Sequence, residues 1–537
     1  MSHSGPIRAI GTWQLIFVAV SSMVGSSWLF AALYTSQLAG PAGILSVLIG
    51  GVIILGIAMV YSELATLFPV GGGSARMPFI SHGGMAGYIV GFLNWTAYAA
   101  VAPLEVTALV EYSADLLPLL TTTANGEKEL SGYGLMVAIP LLFLLVVLNM
   151  LGVKLLAKLN QPMAIWKLAI PVITIIAFAL SRFETSNFTA GGGFAPMGTQ
   201  GVLGAVAAGG CVVAYLGFRS VLEMAGEVKN PGRSIPLAMI GGIVFCMILY
   251  SLLNVTFVGA LEPQAIAAGW ENLVSNTKAG PIAAIALQLG LAWLMTLLLI
   301  DAVVSPGGTA LIYTGVTARV GRAMHQNGAF PAFFAKLNRH GVPAWGILFN
   351  FVVGVILLMP FPGWQSMMGI ISSALVLSLG FGPISLLAFR KQFPERKRPF
   401  RLPFATPFAA VCFIFCSFVV YWAGWRTNQM LAILFGIALV LYPVLVHHVG
   451  KHRVDWRPAL WIVPYFVGIF LISALGQYDG LKIIPSGVDL ILIATLSIII
   501  LILALRERRP DAEAHESIQE LDFEIGPAVR EAPKTHS

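Results

Sequence analysis

Val24-Gly25-Ser26-Ser27 interrupts the first long apolar run of the chain, and Tyr215-Leu216-Gly217-Phe218 interrupts the sixth, at the matching point of a second set of five runs. Small residues inside an apolar span free backbone amides and carbonyls from helical partners. At membrane depth such backbone is tolerated only where it lines a cavity or is buried in protein. One glycine-rich break alone reads best as a close helix contact. Two at corresponding places in two halves point to a ligand held between them.

Around these breaks, the 537 residues are 57% hydrophobic and 10% charged. With 31 Lys+Arg and 24 Asp+Glu the chain cannot clothe three or four soluble domains. Runs such as Leu135 to Leu148 and Leu490 to Leu505 instead suit a hydrocarbon core about 30 Å thick. Apolar windows place fourteen spans near 14–36, 43–68, 86–119, 134–151, 162–181, 202–225, 236–260, 282–318, 343–360, 367–389, 403–424, 430–449, 458–475 and 486–505. An even number puts both termini on one side. Of the 31 basic residues, 24 fall in the loops and termini of the N-terminal side, five fall opposite, and two, Lys167 and Arg219, sit within spans. That asymmetry makes the N-terminal side cytoplasmic. The net charge of +7 is spent on orientation, so no nucleic-acid partner is implied.

Other classes lack their marks. Cys211, Cys246, Cys412 and Cys416 all lie in apolar segments and read as small core residues, without the further ligands a metal needs. No Gly-x-x-x-x-Gly-Lys-Ser/Thr run offers a nucleotide site. His447 and His448 are adjacent and face different sides of a helix, so they read as solvated rather than as an enzyme's ligands or bases. The first span follows no cleavage site and is expected to stay. A sensor would need an appended domain, and the last 30 or so residues are too few for one. They carry mixed charge and are expected to be a flexible cytoplasmic tail, with closure of the inner mouth a minor alternative.

The breaks suggest what is bound. Freed amides at Ser26 and Ser27, beside Gly25, suit a carboxylate at a half-helix N-terminus. Freed carbonyls near Ser22 and Met23, at Cys211 to Ala214 with Val213 among them, and at Leu216 suit an ammonium group; Tyr215 and Gly217 complete the lining. A carboxylate site beside an ammonium site describes an α-amino acid. Lys167, a turn inside the fifth span, either snorkels to the interface or sheds its proton for a purpose. Arg219 cannot shed its charge and needs a carboxylate, from Glu105 or Glu223 of the protein or from the substrate. Asp301 and Ser305 share a face of the eighth span. Asp301 reads equally as a proton relay or substrate contact and as an ion pair near the outer surface, and Pro306-Gly307-Gly308 is expected to loosen that helix.

Three stretches carry a family resemblance: Tyr61-Ser-Glu-Leu-Ala-Thr-Leu-Phe-Pro-Val-Gly-Gly-Gly-Ser74, Glu223-Met-Ala-Gly-Glu-Val-Lys-Asn-Pro-Gly-Arg-Ser-Ile-Pro236, and Thr317-Ala-Arg-Val-Gly-Arg-Ala-Met-His-Gln-Asn-Gly-Ala-Phe-Pro331. With Arg398-Pro-Phe-Arg-Leu-Pro403 they resemble the amino acid-polyamine-organocation (APC) superfamily of permeases across about residues 12–425. The resemblance implies an all-α membrane protein of the leucine-transporter fold. Its ten-helix core at 13–389 would comprise inverted repeats of five at 13–181 and 202–389, between an N-terminus at 1–12 and a basic loop at 390–402. Four peripheral helices at 403–505, two more than common members have, and a cytoplasmic tail at 506–537 would follow. It implies that Lys167 carries the coupling proton, with no other cofactor, and that Glu63 and Arg76 belong to a gate network at the inner end of the second span. Val213 stands where several relatives place a gating aromatic, leaving that task to Tyr215, to Phe218 or to no aromatic at all. Gly-Phe-Arg219 and Asp301-Ala-Val-Val-Ser305-Pro306 are similar to permeases for acidic amino acids. In that reading Arg219 takes the substrate's side-chain carboxylate, with Glu105 as a second titrating group. The expectation is a proton-coupled symporter of aspartate or glutamate in a bacterial inner membrane. Amino acid exchange, or neutral transport with Arg219 paired internally, is the alternative.

Overall fold

The computed structural model describes residues 10–114, 117–124, 127–151, 153–273, 280–339, 342–359, 363–449 and 457–525. It is almost wholly helical because a segment in hydrocarbon must satisfy its N–H and C=O groups internally. Helices α1 (Thr12–Met23) and α2 (Ser27–Ala39) are the halves of the first span, and α3 (Gly43–Leu67) returns after a tight turn at Gly40–Ala42. α4 (Gly73–Ser113) is kinked at Gly83. An antiparallel hairpin, β1 (Thr121–Ala124) with β2 (Glu127–Leu130), pairs Thr121 with Leu130 and leads to α5 (Gly132–Met150) and α6 (Val153–Ser181). The sixth span comprises α7 (Gly198–Ala208), α8 (Cys211–Tyr215), a 3-10 turn at Leu216–Phe218 and α9 (Arg219–Glu223). Then come α10 (Pro231–Ala260), the short α11 (Pro263–Ala267) and α12 (Pro281–Gln288), α13 (Ala292–Gln326), α14 (Ala344–Leu358), and α15 (Trp364–Leu379) with α16 (Phe381–Gln392). The last four spans are α17 (Ala405–Trp422), α18 (Trp425–Val449), α19 (Ile462–Leu475) and α20 (Val488–Arg506), followed by α21 (Asp511–Ile525).

Among the described residues eleven helices are long and apolar enough to cross a membrane, and the bent sixth span makes a twelfth. The stretch Ser27–Leu67, counted once, comprises α2 and α3 on either side of the turn at Gly40–Ala42, and α14 is a shorter apolar helix. Two groups of helices meet at the first-span break. α1, α3, α8, α9 and α10 pack together, while α4 and α13 run along each other and carry α5 and α14. α4 is one of the two most enclosed segments, with 94% of its apolar window buried against 100% for that of Met367–Gln392, so residues on it face protein nearly all round.

Three local expectations are corrected. The sixth span has its sharp bend, 46°, at Gly209–Gly210, where Gly210 has φ 80°, and the expected Leu216–Phe218 segment is a 3-10 turn further on. α13 runs unbroken through Pro306-Gly307-Gly308, because a proline this far inside loses one backbone bond that neighbouring helices compensate. The tail is not a free coil over its first part: α21 docks on the membrane domain. Arg509 N donates to Ser81 O at 3.0 Å, Gln392 Nε2 donates to Arg509 O at 2.8 Å, and His515 Nε2 donates to Gln392 O at 3.1 Å. The apolar positions Ala514 and Ile518, one turn apart, are buried against the protein. The acidic composition hid a two-residue apolar contact too small to show in a periodicity. Residues 526–537 of the tail, and 1–9 of the N-terminus, lie outside the described residues. Ile518→Asp should free α21. Losing about 2 kcal/mol of burial raises the population of the undocked form roughly 30-fold. Trypsin cleavage after Arg508 should quicken by a similar factor, with an unchanged rate arguing that α21 is held by its polar bonds alone.

Candidate functional site

The helix of the first span ends at Val24, with φ −84° and ψ 83°, and starts again at Ser27. Val24 and Ser26 are wholly buried. The two exposed helix ends carry opposite partial charges and draw opposite side chains. On the carbonyl side, Lys167 Nζ of α6 donates to Ser21 O at 2.7 Å and to Thr309 Oγ1 of α13 at 2.6 Å. On the amide side, Ser26 N donates to Glu105 Oε2 of α4 at 2.8 Å. Gly25 lies where the two arms meet: a Cβ there would overlap Glu105 Oε1 and come 2.9 Å from Thr309 Oγ1. Asp301 lies two turns before Thr309 on the same face of α13. It accepts from Ser305 Oγ at 2.6 Å and from Trp28 Nε1 of α2 at 3.0 Å. The structure thus brings Lys167, Glu105 and Asp301, from three separate helices, around one break. Asp301 is buried within the core and makes no surface ion pair. Lys167 is also fully buried and does not snorkel.

The sixth span closes on the same break. Gly217 packs so tightly on the Ser22–Met23 backbone that any Cβ would overlap Met23 N. Ser22 Oγ donates to Ser220 Oγ at 3.1 Å, and Tyr250 OH of α10 donates to Met23 O at 2.8 Å. Ser27, Ala214 and Tyr215 line, with Tyr250 and Asn254, a small cavity of about 10 Å³, which has room for one water molecule at most. Leu216 is buried and Val213 half-buried beside it.

Arg219 is wholly buried on α9. Its Nη1 donates to Leu375 O at 3.2 Å and to Ser378 Oγ at 3.1 Å, its Nη2 donates to Asn94 Oδ1, and the group stands 5.1 Å from the Tyr98 ring centroid. These are neutral acceptors. Among the described residues no carboxylate is within ion-pair distance, so neither Glu105 nor Glu223 provides the internal partner expected as one alternative. Three of five N–H donors are used, and Nε–H is among those left. Glu223, one turn on, is also buried, with Ser74 and Tyr98 beside its carboxylate but outside close hydrogen-bond geometry.

Glu63 and Arg76 are each held by groups distant in sequence. Glu63 is bound by the loop after the tenth span: Arg390 donates from Nε at 3.0 Å and from Nη2 at 2.7 Å, Arg398 lies at 3.1 Å, and Leu402 N donates at 2.7 Å. Arg76 instead donates to Gln326 of α13. Phe218 is sealed against Tyr61, and Tyr215 OH is tied to Val47 O at 3.1 Å, so neither faces the break as a free gating ring. An aromatic that does reach the break is Trp364, which sequence reasoning missed. Its Nε1 donates to Ser26 Oγ at 2.7 Å, and its ring stacks on Phe30 at 4.9 Å and on Tyr34 at 5.4 Å. Nothing periodic marks Trp364 in Phe361-Pro-Gly-Trp364, whereas Thr309, also missed, was open to detection from its spacing of four after Asp301 and Ser305. Glu63→Gln should uncouple the 390–402 loop. Removing one partner of so enclosed an ion pair costs on the order of 3 kcal/mol, visible as a lower unfolding midpoint in detergent. An unchanged midpoint would show that Leu402 N and the neighbouring helices hold the loop without the charge.

Two interrupted spans that meet inside a bundle of apolar helices are the architecture of secondary transporters, carriers that rearrange around a central site. The chain belongs to the amino acid permease family, whose sequence profile matches residues 10–442. It is 39% identical over 511 residues to the glutamate/serine transporter AimA of Bacillus subtilis (strain 168), covering 93% of this chain and 94% of that protein. It is 36% identical over 507 residues to the aspartate-proton symporter of the same organism, covering 93% and 96%. The branched-chain amino acid permease BcaP, also of that organism, is 25% identical over 454 residues, covering 81% and 92%. The protein is an integral multi-pass membrane amino acid transporter.

Proposed function

We propose that this permease imports an acidic amino acid, aspartate or glutamate, together with a proton, across a bacterial cytoplasmic membrane with both termini inside. The observation that carries the substrate class is Arg219: a permanent charge buried without a carboxylate and with N–H donors to spare. A substrate side-chain carboxylate supplies what the fold omits, through a charge-assisted pair. The names of two relatives, an aspartate-proton symporter and a glutamate/serine transporter, support the same class.

The substrate α-carboxylate takes the place that Glu105 holds on Ser26 N, and Ser27 N lies next along the same helix end. Its ammonium meets the carbonyls of the two breaks, at Ser22 and Met23 on one side and at Val213, Ala214 and Leu216 on the other. Gly25 and Gly217 let it approach the backbone, and Tyr215 bounds the cavity. Lys167 is the proton carrier. Charged, it holds Ser21 O and Thr309; neutral, it lets α1 go. The charges that act on it are those of Glu105 and Asp301, which relay the proton. Glu63 with its loop, Arg76 and the packing of Phe218 keep the inner side shut.

The test is uptake of labelled L-aspartate and L-glutamate into proteoliposomes, with an inward proton gradient and with that gradient collapsed, in the presence of unlabelled competitors. Gradient-dependent accumulation blocked by acidic amino acids is expected. Competition by neutral amino acids alone would make Arg219 a structural group held by Asn94 and Ser378.

A further inference from the structure

A second groove lies at the start of α1, the end of that half-helix opposite the first-span break. The starts of α1 and α10 are pinned together by a bond between Thr12 Oγ1 and Ser234 Oγ of 2.7 Å. Beside this pin opens a groove of about 610 Å³, lined by Thr12, Trp13, Asn230, Pro231, Gly232, Arg233 and Leu237. Its two ends differ in chemistry. At the polar end Lys229, Asn230 and Arg233 are exposed, and among the described residues no carboxylate pairs with either cation. Glu227, the nearest acid along the chain, is already bound to Arg319 at 3.2 Å. The basic loop lies alongside, since a Cβ on Gly232 would come 2.8 Å from Pro399 Cβ, and Lys397 and Arg401 of that loop are exposed.

The other end is apolar and open. Trp13 is 74% exposed and Phe17, one turn on, 40%. On α10, Leu237 and Phe245 are exposed at 48% and 41%, and a Cβ added at Gly241 between them meets nothing within 4 Å. A cationic, uncompensated head and an apolar trough leading away along two helices fit one kind of occupant, with an anionic group and hydrocarbon chains in one molecule. We propose that this groove binds an anionic phospholipid, its phosphate at Arg233 and Asn230 and an acyl chain along Phe17, Leu237 and Gly241. Uncompensated positive charge favours an anionic over a zwitterionic headgroup. The occupant would touch α1, the half-span that ends at Met23 against the substrate break, so its presence bears on how readily α1 moves.

The test uses the full-length protein in detergent, with lipid retention read by native mass spectrometry after incubation with equimolar phosphatidylglycerol and phosphatidylcholine. Phosphatidylglycerol should be retained in preference, and Arg233→Gln with Lys229→Gln should weaken that retention about tenfold or more. Gly241→Leu, which fills the trough and leaves every charge in place, should weaken it as well; the unfolding midpoint of each variant confirms that it is folded. Equal retention of the two lipids, or wild-type retention by the charge variant, would overturn the proposal. So would displacement by millimolar inorganic phosphate alone, which would mark an ion site without a lipid's chains.

Discussion

Proteoliposomes carrying Lys167→Ala are expected to lose accumulation of substrate against its gradient, by tenfold or more on the scale typical of a missing proton-transfer group, roughly 10²–10⁴. Substrate-induced thermal stabilisation should persist in the same variant. The reason is the geometry of one amine. Lys167 is fully buried and bridges Ser21 O, at the end of α1, and Thr309 on α13, so it ties the half-helix that ends at the break to α13. An amine can give up its proton when its partners leave, which a guanidinium cannot do. Lys167→Arg separates the roles. It keeps a charge able to reach Ser21 O and Thr309 but cannot release it, and it should bind substrate without gradient-driven accumulation. Wild-type accumulation by the alanine variant would sink the carrier role, and recovery by the arginine variant would reduce Lys167 to a strut.

Arg219→Ala should lower kcat/KM for aspartate and glutamate by roughly 30-fold or more, the consequence of the about 2–5 kcal/mol that truncating one partner of a buried charge pair costs. Neutral substrates should lose far less. The arginine is held from one side by Asn94, Ser378 and Leu375 O, so its removal also strands these acceptors, and a uniform loss for all substrates would be the mark of that structural effect. Arg219→Lys sharpens the comparison, because it keeps the charge and loses the planar fork. An intermediate defect confined to acidic substrates is expected there. Equal defects for acidic and neutral amino acids would return Arg219 to the scaffold.

The sequence by itself determined the class of fold, the fourteen apolar runs, the two broken spans and the two basic residues that have no place in hydrocarbon. Each of these is local in the chain: hydropathy is summed over a window, a Gly-Ser-Ser break is read in four letters, and a lysine inside an apolar run announces itself. Only the tertiary structure decided which groups meet. Ser26 N and Glu105 are 79 residues apart, Lys167 and Thr309 are 142 apart, and Ser26 and Trp364 are 338 apart. Glu63 turned to Arg390 and Arg398, 339 residues before Leu402 N closes the same carboxylate, and left Arg76 to Gln326. Among the described residues Arg219 was left with no carboxylate at ion-pair distance. The physical reason is that apolar helix faces tolerate many rotations against one another. The partner of a buried polar group is then fixed by how neighbouring helices are turned, and no spacing along a single helix records that.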